Sequence, residues 1–213
     1  MSIKIKFCYP HIKLLAFNTD AVLPAINTCY DLSDCDESRI PRVISSSGHL
    51  SVLRHGFASV KIMGISRATG RQILRKGHAD YLEKSQRYVD VRNAAFSIPK
   101  KIVSNPEYIK KYTQALRKSL ETYAWLRNNG VTKEDARDVL PQSIETTITM
   151  SGNLQMWWDF FNLRIDGKVQ EQCRIVAVLI LNAFCGKSDI FKIHPKINDN
   201  HYLRHISEID ALC

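Results

Sequence analysis

SRATGRQILRKGHADYLEKSQRYV, residues 66–89, sets a short helical pattern directly against a dense polar run. Ser66 is a natural N-cap for a helix running to about Lys76, with Gly77 as its terminator. On that helix Gln72 and Arg75 stand three apart and share a face. Four Lys and Arg side chains, two acids and two tyrosines crowd residues 75–89. A solvated turn explains the charges. It leaves the ordered Ser85-Gln86-Arg87-Tyr88 ending without a reason, so the flanking chain has to decide.

Upstream, residues 57–65 (FASVKIMGI) read as a strand with Val60, Ile62 and Ile65 turned to the core. Residues 3–8 (IKIKFC) alternate apolar and basic, as a half-buried strand does. AVLPAINTCY, residues 21–30, reads as a short helix; DLSDCDESRIP is a polar connection, and RVISSSGHLSVLRH leads into a second element. Downstream, residues 105–129 form the clearest helix. Asn105 caps it, Pro106 takes the favoured first position, and Ile109, Tyr112, Leu116, Leu120 and Tyr123 repeat at helical spacing before Gly130. Thr132 with Asp135 starts another short helix. A strand around SIETTITMSG precedes a helix NLQMWWDFFNLR. A last long helix runs from about Lys168 to Phe184, with Val169, Cys173, Val176, Ala177 and Ile180 inward and Gln170 and Arg174 on its other face. The sum is an α+β fold: a small mixed or antiparallel sheet with packed helices, in one domain spanning residues 1–213.

At 213 residues the chain has ample material for a core. Its longest strongly apolar run, Ile175–Leu181, is too short to span a bilayer, and no signal peptide opens the chain, so a cytoplasmic protein without membrane attachment is expected. The six cysteines show no C-x-x-C pair and read as reduced thiols. His201 and His205 in HYLRH lack a spaced third ligand, so no metal site is expected. The net charge of +9 attracts anions: nucleic acid, nucleotides, dinucleotide cofactors and polyglutamylated folate alike. No basic tail is present, which makes a nucleic-acid partner the least favoured of these.

These residues carry a family resemblance. The central stretch is similar to the signature R-H-R-x-x-S-x-N-E-x-S-x-R-Y of the flavin-dependent thymidylate synthases, matched at Arg75, Glu83, Ser85, Arg87 and Tyr88. INTCYDLS and GHLSVLRH resemble the family's Cys-Tyr and G-H-x-S-x-x-E-H segments. YAWLRNNGVTKEDARDVLP resembles its A-R-x-V-L-P segment, and NLQMWWDFFNLR with VQEQCR resembles its last two. Together they cover roughly residues 20–185 in the family's order.

The resemblance implies a homotetramer whose sites are assembled from several subunits, each holding FAD beside dUMP. It implies that NADPH reduces the flavin, that methylenetetrahydrofolate supplies one carbon, and that no protein nucleophile attacks the base. Arg174 is then the catalytic, pyrimidine-facing arginine. Gln72, Arg75, Glu83, Ser85, Gln86, Arg87 and Tyr88 fall on nucleotide positions, as does Gln155; Arg87 suits a phosphate because a guanidinium offers two parallel donors. His55, Arg75, Lys76, Gly77, Glu83, Asn162 and Arg164 fall on flavin positions.

Departures from the family concentrate in these same segments. Lys76 replaces the signature's histidine, Gly77 its second arginine, Asp80 its first serine and Leu82 its asparagine. Arg54 stands where an acid precedes His55, Gln155 where N-x-R has its arginine, and Gln172 where E-I-R has its glutamate. Two guanidinium groups are missing; Lys76 and His78 restore charge without a fork of donors. Three readings stay open: a thymidylate synthase making dTMP from dUMP, a relative retuned to another pyrimidine such as dCMP or to hydroxymethylation, or a non-catalytic nucleotide- or nucleic-acid-binding protein on the same fold.

Overall fold

The computed structural model describes residues 4–33 and 36–210. Strands β1 (Lys6–Cys8) and β2 (His11–Asn18) are followed by helices α1 (Val22–Tyr30) and α2 (Arg39–Ser47) and a 3-10 turn at Leu50–His55. Strand β3 (Phe57–Ser66) runs into helix α3 (Arg67–Ile73), and β4 (Asp80–Glu83) and β5 (Ala95–Ser97) come next. Helices α4 (Lys100–Val103), α5 (Pro106–Asn128) and α6 (Lys133–Ala136), with a 3-10 turn at Arg137–Val139, lead to β6 (Glu145–Asn153). The chain then becomes helical: α7 (Leu154–Arg164), α8 (Glu171–Cys185), α9 (Asp189–Lys192) and α10 (Asn200–Asp210).

Four strands form an antiparallel sheet in the order β2-β3-β6-β4, while β1 pairs in parallel with β5. Val60 and Ile62 on β3 and Ile148 and Met150 on β6 are buried, as the two-residue alternation of both central strands requires. The pairing slips between Ile62 and Ile65, and Gly64 sits in that bulge at φ 67°. A Cβ there would lie 2.0 Å from the Tyr9 carbonyl oxygen, so only glycine lets the strand pass.

Helix α7 contributes Trp157, Phe160 and Phe161 to the main core, where Trp157 and Phe161 meet Phe184, Phe161 meets Phe191, and Phe17 packs on Phe184 and Phe191, at ring separations of 5.0–6.1 Å. A second core gathers Val91, Phe96, Leu116, Leu120, Tyr123, Ala136 and Ile144 around α5. The Asn105 side chain accepts from the N–H groups of Glu107 and Tyr108, as its capping position predicts. Thr132 caps α6 through the Asp135 N–H. Among the described residues no helix is long and apolar enough to cross a membrane. Cys8, Cys29, Cys173 and Cys185 are free thiols; Cys35 and Cys213 lie outside the described residues.

Several expectations shift. The strand expected over residues 3–8 is Lys6–Cys8, with Ile3 outside the described residues. Strand β2 is unforeseen, because its alternation is interrupted by an irregularity between Leu14 and Ala16. Residues 80–83, within the dense polar run, form β4 along the edge of β6. Helix α3 stops at Ile73 rather than at Lys76 before Gly77. The Tyr81 hydroxyl bonds the carbonyl oxygens of Ile73 (3.1 Å) and Lys76 (2.7 Å), and so closes the end that Gly77 was expected to close. Burial pushes the Tyr81 phenol up to about 12, so it stays a donor. Helix α8 begins at Glu171, three residues after the expected Lys168, because Arg174 holds the loop before it.

Candidate functional site

The residues singled out by sequence fall into three neighbourhoods. The first is a cleft of about 360 Å3 between the 50–55 turn, the segment after α3 and the start of α7, lined by Arg54, Lys76, His78, Asn153, Gln155, Met156 and Asp159. Arg54 donates from Nε to Oε1 of Gln155 at 2.6 Å. Lys76 lies 3.8 Å from Asp159, with its ammonium stem largely covered. His78 takes a left-handed backbone at φ 61°. A Cβ at Gly152 would lie 2.5 Å from the Met156 methyl and 3.3 Å from the His78 carbonyl oxygen, so the glycine leaves room for both beside β6. Gly77 faces open space and His55 is exposed at the end of its turn.

The sequence shows a lost arginine at 155 and, at 54, an arginine in place of an acid. The structure joins them. Arg54, which stands where the family has an acid, donates across the cleft to Gln155, which stands where N-x-R has its arginine. Arg54 was missed as a site residue because a departure from a motif carries no sign of what compensates it.

The second neighbourhood joins α3, α7 and α8. The Gln72 side-chain amide donates to Oε1 of Gln170, and Arg164 donates from Nη2 to the Gln72 carbonyl at 2.7 Å. Nε of Arg164 is buried and without a hydrogen-bond partner among the described residues. Arg174 donates from Nη1 to the carbonyls of Asp166 (3.2 Å) and Val169 (3.0 Å) and from Nε to Nε2 of His205 (3.2 Å). Its Nη2 makes no hydrogen bond among the described residues. Burial lowers the His205 pKa, which keeps the imidazole in the form that can accept from Arg174; the nearby Glu208 pulls the other way. Gln72 is half-buried within α3, whereas Arg75, beyond the helix end at Ile73, and Asn162 are exposed.

A third neighbourhood carries the S-x-R-Y ending. Glu83 lies 3.4 Å from Arg67 and accepts from the Thr146 hydroxyl at 2.9 Å. Ser85 Oγ accepts from the Arg87 N–H at 3.2 Å, turning the loop outward. Arg87 donates from Nε to Glu134 at 2.6 Å, both side chains well exposed, and Tyr88 is 77% exposed. Gln86 alone points inward and is buried. Among the described residues, no hydrogen bond or ion pair links Ser85, Gln86, Arg87 and Tyr88 to the first two neighbourhoods.

Gln172 has become a structural joint. Its Oε1 accepts from the Ser66 N–H (2.9 Å), the Ser66 hydroxyl (2.9 Å) and the Thr69 hydroxyl (2.6 Å), and its amide donates to Ser97. That joint locks the N-terminus of α3. Burial pushes the Cys8 and Cys173 thiols up to about 11, which leaves neither poised as a nucleophile.

Comparison with known proteins places this geometry. Residues 13–187 match the family described as thymidylate synthase complementing protein. A flavin-dependent thymidylate synthase of Pyrococcus furiosus is 34% identical over 158 residues, 72% of this chain and 64% of that protein. One from Geobacter sulfurreducens is 35% identical over 157 residues, 73% of this chain and 68% of the relative. Among solved structures, a UMP/dUMP methylase, PolB, from Streptomyces cacaoi bound with 5-Br dUMP superposes with a TM-score of 0.77 over 93% of this chain and 99% of that one. At 21% identity that likeness speaks for the fold.

Proposed function

The chain belongs to the flavin-dependent thymidylate synthase family, the thymidylate synthase complementing proteins, and from that premise we propose that it methylates C5 of dUMP to give dTMP. One observation carries the reading: the 2.6 Å bond from Arg54 to Gln155 returns a guanidinium to the cleft whose motif had lost it. With Lys76 on the facing segment, Arg54 gives the cleft two fixed cations against the single carboxylate of Asp159, a balance that suits a phosphate-bearing ligand.

FAD is the cofactor of this reading, with methylenetetrahydrofolate and NADPH as co-substrates. The buried, unpartnered Nε of Arg164 is a donor awaiting an acceptor, and the donor set of Lys76, His78 and Asn153 suits a cofactor rich in phosphate and carbonyl oxygens. Arg164, Asn162, Lys76 and His55 would hold the flavin, which when bound supplies the reducing equivalents that make the transferred carbon a methyl group. Arg174 keeps Nη2 for the pyrimidine while its other nitrogens fix its direction. A cation so anchored favours the N3-ionised base without reorganising during the reaction. Arg87, with Ser85, would bind a nucleotide phosphate after exchanging the exposed Glu134. The separation of Arg87 from the Arg54 cleft within one chain supports a homotetramer in which the S-x-R-Y loop completes a neighbouring subunit's site.

Purified protein should take up FAD with a visible flavin spectrum and sediment as a tetramer. In single turnover with reduced flavin and methylenetetrahydrofolate it should convert dUMP, and not dCMP, to its 5-methyl product. A protein that takes up no flavin, or that methylates or hydroxymethylates dCMP in preference, overturns the reading.

A further inference from the structure

Helix α10 lies outside residues 13–187, the stretch that matches the family, yet it backs Arg174. Nε of Arg174 donates to Nε2 of His205 at 3.2 Å, while Nη1 donates to the loop carbonyls of Asp166 and Val169. His201, one turn earlier on α10, lies against the same loop: a Cβ built at Gly167 would fall 2.8 Å from its Nε2. His205 is 2% exposed, and its Nδ1 lies 3.4 Å from Oε2 of Glu208. That same oxygen accepts from Nζ of Lys100, on α4, at 2.7 Å. Lys100 also lies 3.8 Å from Glu171 at the start of α8.

These contacts fix where the protons sit. A guanidinium has donors and no acceptor, so Nε2 of His205 must present its lone pair, and the neutral ring carries its proton on Nδ1. Nδ1 then donates to Glu208, whose carboxyl the Lys100 hydrogen bond pulls down to about 2, so that it stays an ionised acceptor. Anchored at Nη1 alone, the Arg174 guanidinium could pivot about that contact. The second anchor on Nε fixes its plane and with it the direction of Nη2. Protonated His205 would reverse the contact, setting two donors and two positive charges against each other. The groups that face His205 are Arg174 and Glu171 from α8 and Glu208 from its own helix, with Lys100 behind Glu208. Burial lowers its pKa below the ordinary 6.5; the hydrogen bond to Glu208 opposes this, and the Arg174 charge adds to it.

We propose that His205 is a positioning residue for Arg174: its Nδ1–H tautomer, set by Glu208 and Lys100, holds Nε so that Nη2 stays aimed at the base. The proposal rests on the thymidylate reading for what Arg174 does in turnover. It makes Arg174 fully competent only while His205 is neutral.

A substrate-free measurement comes first. In ligand-free protein carrying isotope-labelled histidine and arginine, NMR should show His205 as the Nδ1–H tautomer, and His205→Ala should speed exchange of the Arg174 Nε proton. In the flavin-loaded enzyme, His205→Ala should lower kcat with dUMP about tenfold or more, with a smaller change in KM. His205→Gln keeps an acceptor for Arg174 and should restore most of that loss. Wild type should lose kcat as pH falls below about 6.5, and His205→Gln, which does not titrate, should lack that fall. A merely structural role would move the denaturation midpoint and leave the pH profile alone. Should His205→Ala fail to fold, the tautomer and the glutamine variant still decide. An Nε2–H tautomer, or unchanged kcat in His205→Ala beside an active wild type, overturns this proposal and leaves the thymidylate reading standing. A wild type that turns over no dUMP overturns that reading and, with it, the role of His205 in turnover.

Discussion

Arg54 and Gln155, 101 positions apart in the chain, meet at 2.6 Å across the cleft between the 50–55 turn and α7. Two departures from the family's motifs are thus one exchange, in which the cation changes walls and the neutral amide accepts from it.

That exchange predicts a swap experiment. Arg54→Gln should weaken dUMP or FAD binding by about 1.5–3 kcal/mol, the usual worth of a hydrogen bond to a charged group. Adding Gln155→Arg should recover much of the loss by returning the guanidinium to α7, whereas Gln155→Arg alone sets two arginines side by side and should weaken binding. Additive losses in the double variant, measured by titration, would refute the exchange.

Gly77 stands where the family places an arginine, and a Cβ built there meets nothing within 4 Å. Its φ is not in the left-handed region, so a side chain costs no backbone strain. Gly77→Arg should leave the melting temperature essentially unchanged and tighten FAD binding. Weaker flavin binding would show that the open space at Gly77 serves a ligand.

Exposure separates binding from stability at Arg87. Its pair with Glu134 is solvent-exposed on both sides, and such pairs contribute roughly 0–1 kcal/mol. Arg87→Ala should therefore unfold at nearly the same denaturant concentration as wild type, yet bind dUMP at least about tenfold more weakly if it holds the phosphate. Unchanged calorimetric affinity would remove Arg87 from the nucleotide site.

Gln172 offers the opposite balance. Gln172→Ala strands the Ser66 N–H and two hydroxyl groups beside a partly buried seam, at a cost of about 2–4 kcal/mol. Gln172→Glu keeps the acceptor and should cost less. Chemical denaturation of the two variants checks the order.

Acid stability should turn on His194. Its Nδ1 accepts from the Lys196 N–H and its Nε2 bonds the Trp158 carbonyl, so protonation would set two donors against each other. Burial, with Lys196 nearby adding to it, lowers its pKa to about 4. A folded pKa below the unfolded one means the unfolded chain binds more protons between them. Stability is thus full above about pH 6.5 and falls toward pH 4, by on the order of 3 kcal/mol. His194→Gln, which can still donate to Trp158, should flatten that fall in denaturation curves taken across the window.

The strong periodicities were legible because they depend on near neighbours. Strands β3 and β6, the cap of α5 by Asn105, the existence of α7 and the inward residues of α8 were readable from such local patterns. The family itself could be read from its motif order. Strand β4 could not, since Asp80–Glu83 has no strand signal of its own and becomes a strand by pairing with β6, which lies far later in the chain. The end of α3 was equally hidden, because a tyrosine hydroxyl, not Gly77, closes it.

By itself, then, the sequence determined the α+β class, the family and the loss of two motif arginines. It named Gln72, Arg87 and Arg174 but not what they touch. Only the tertiary structure decided that Arg54 faces Gln155 and that Arg174 is anchored by loop carbonyls and His205. The reason is physical. A hydrophobic period acts along the chain, whereas a charge acts through space, and its partner is set by whichever distant backbone the core brings within a few ångströms.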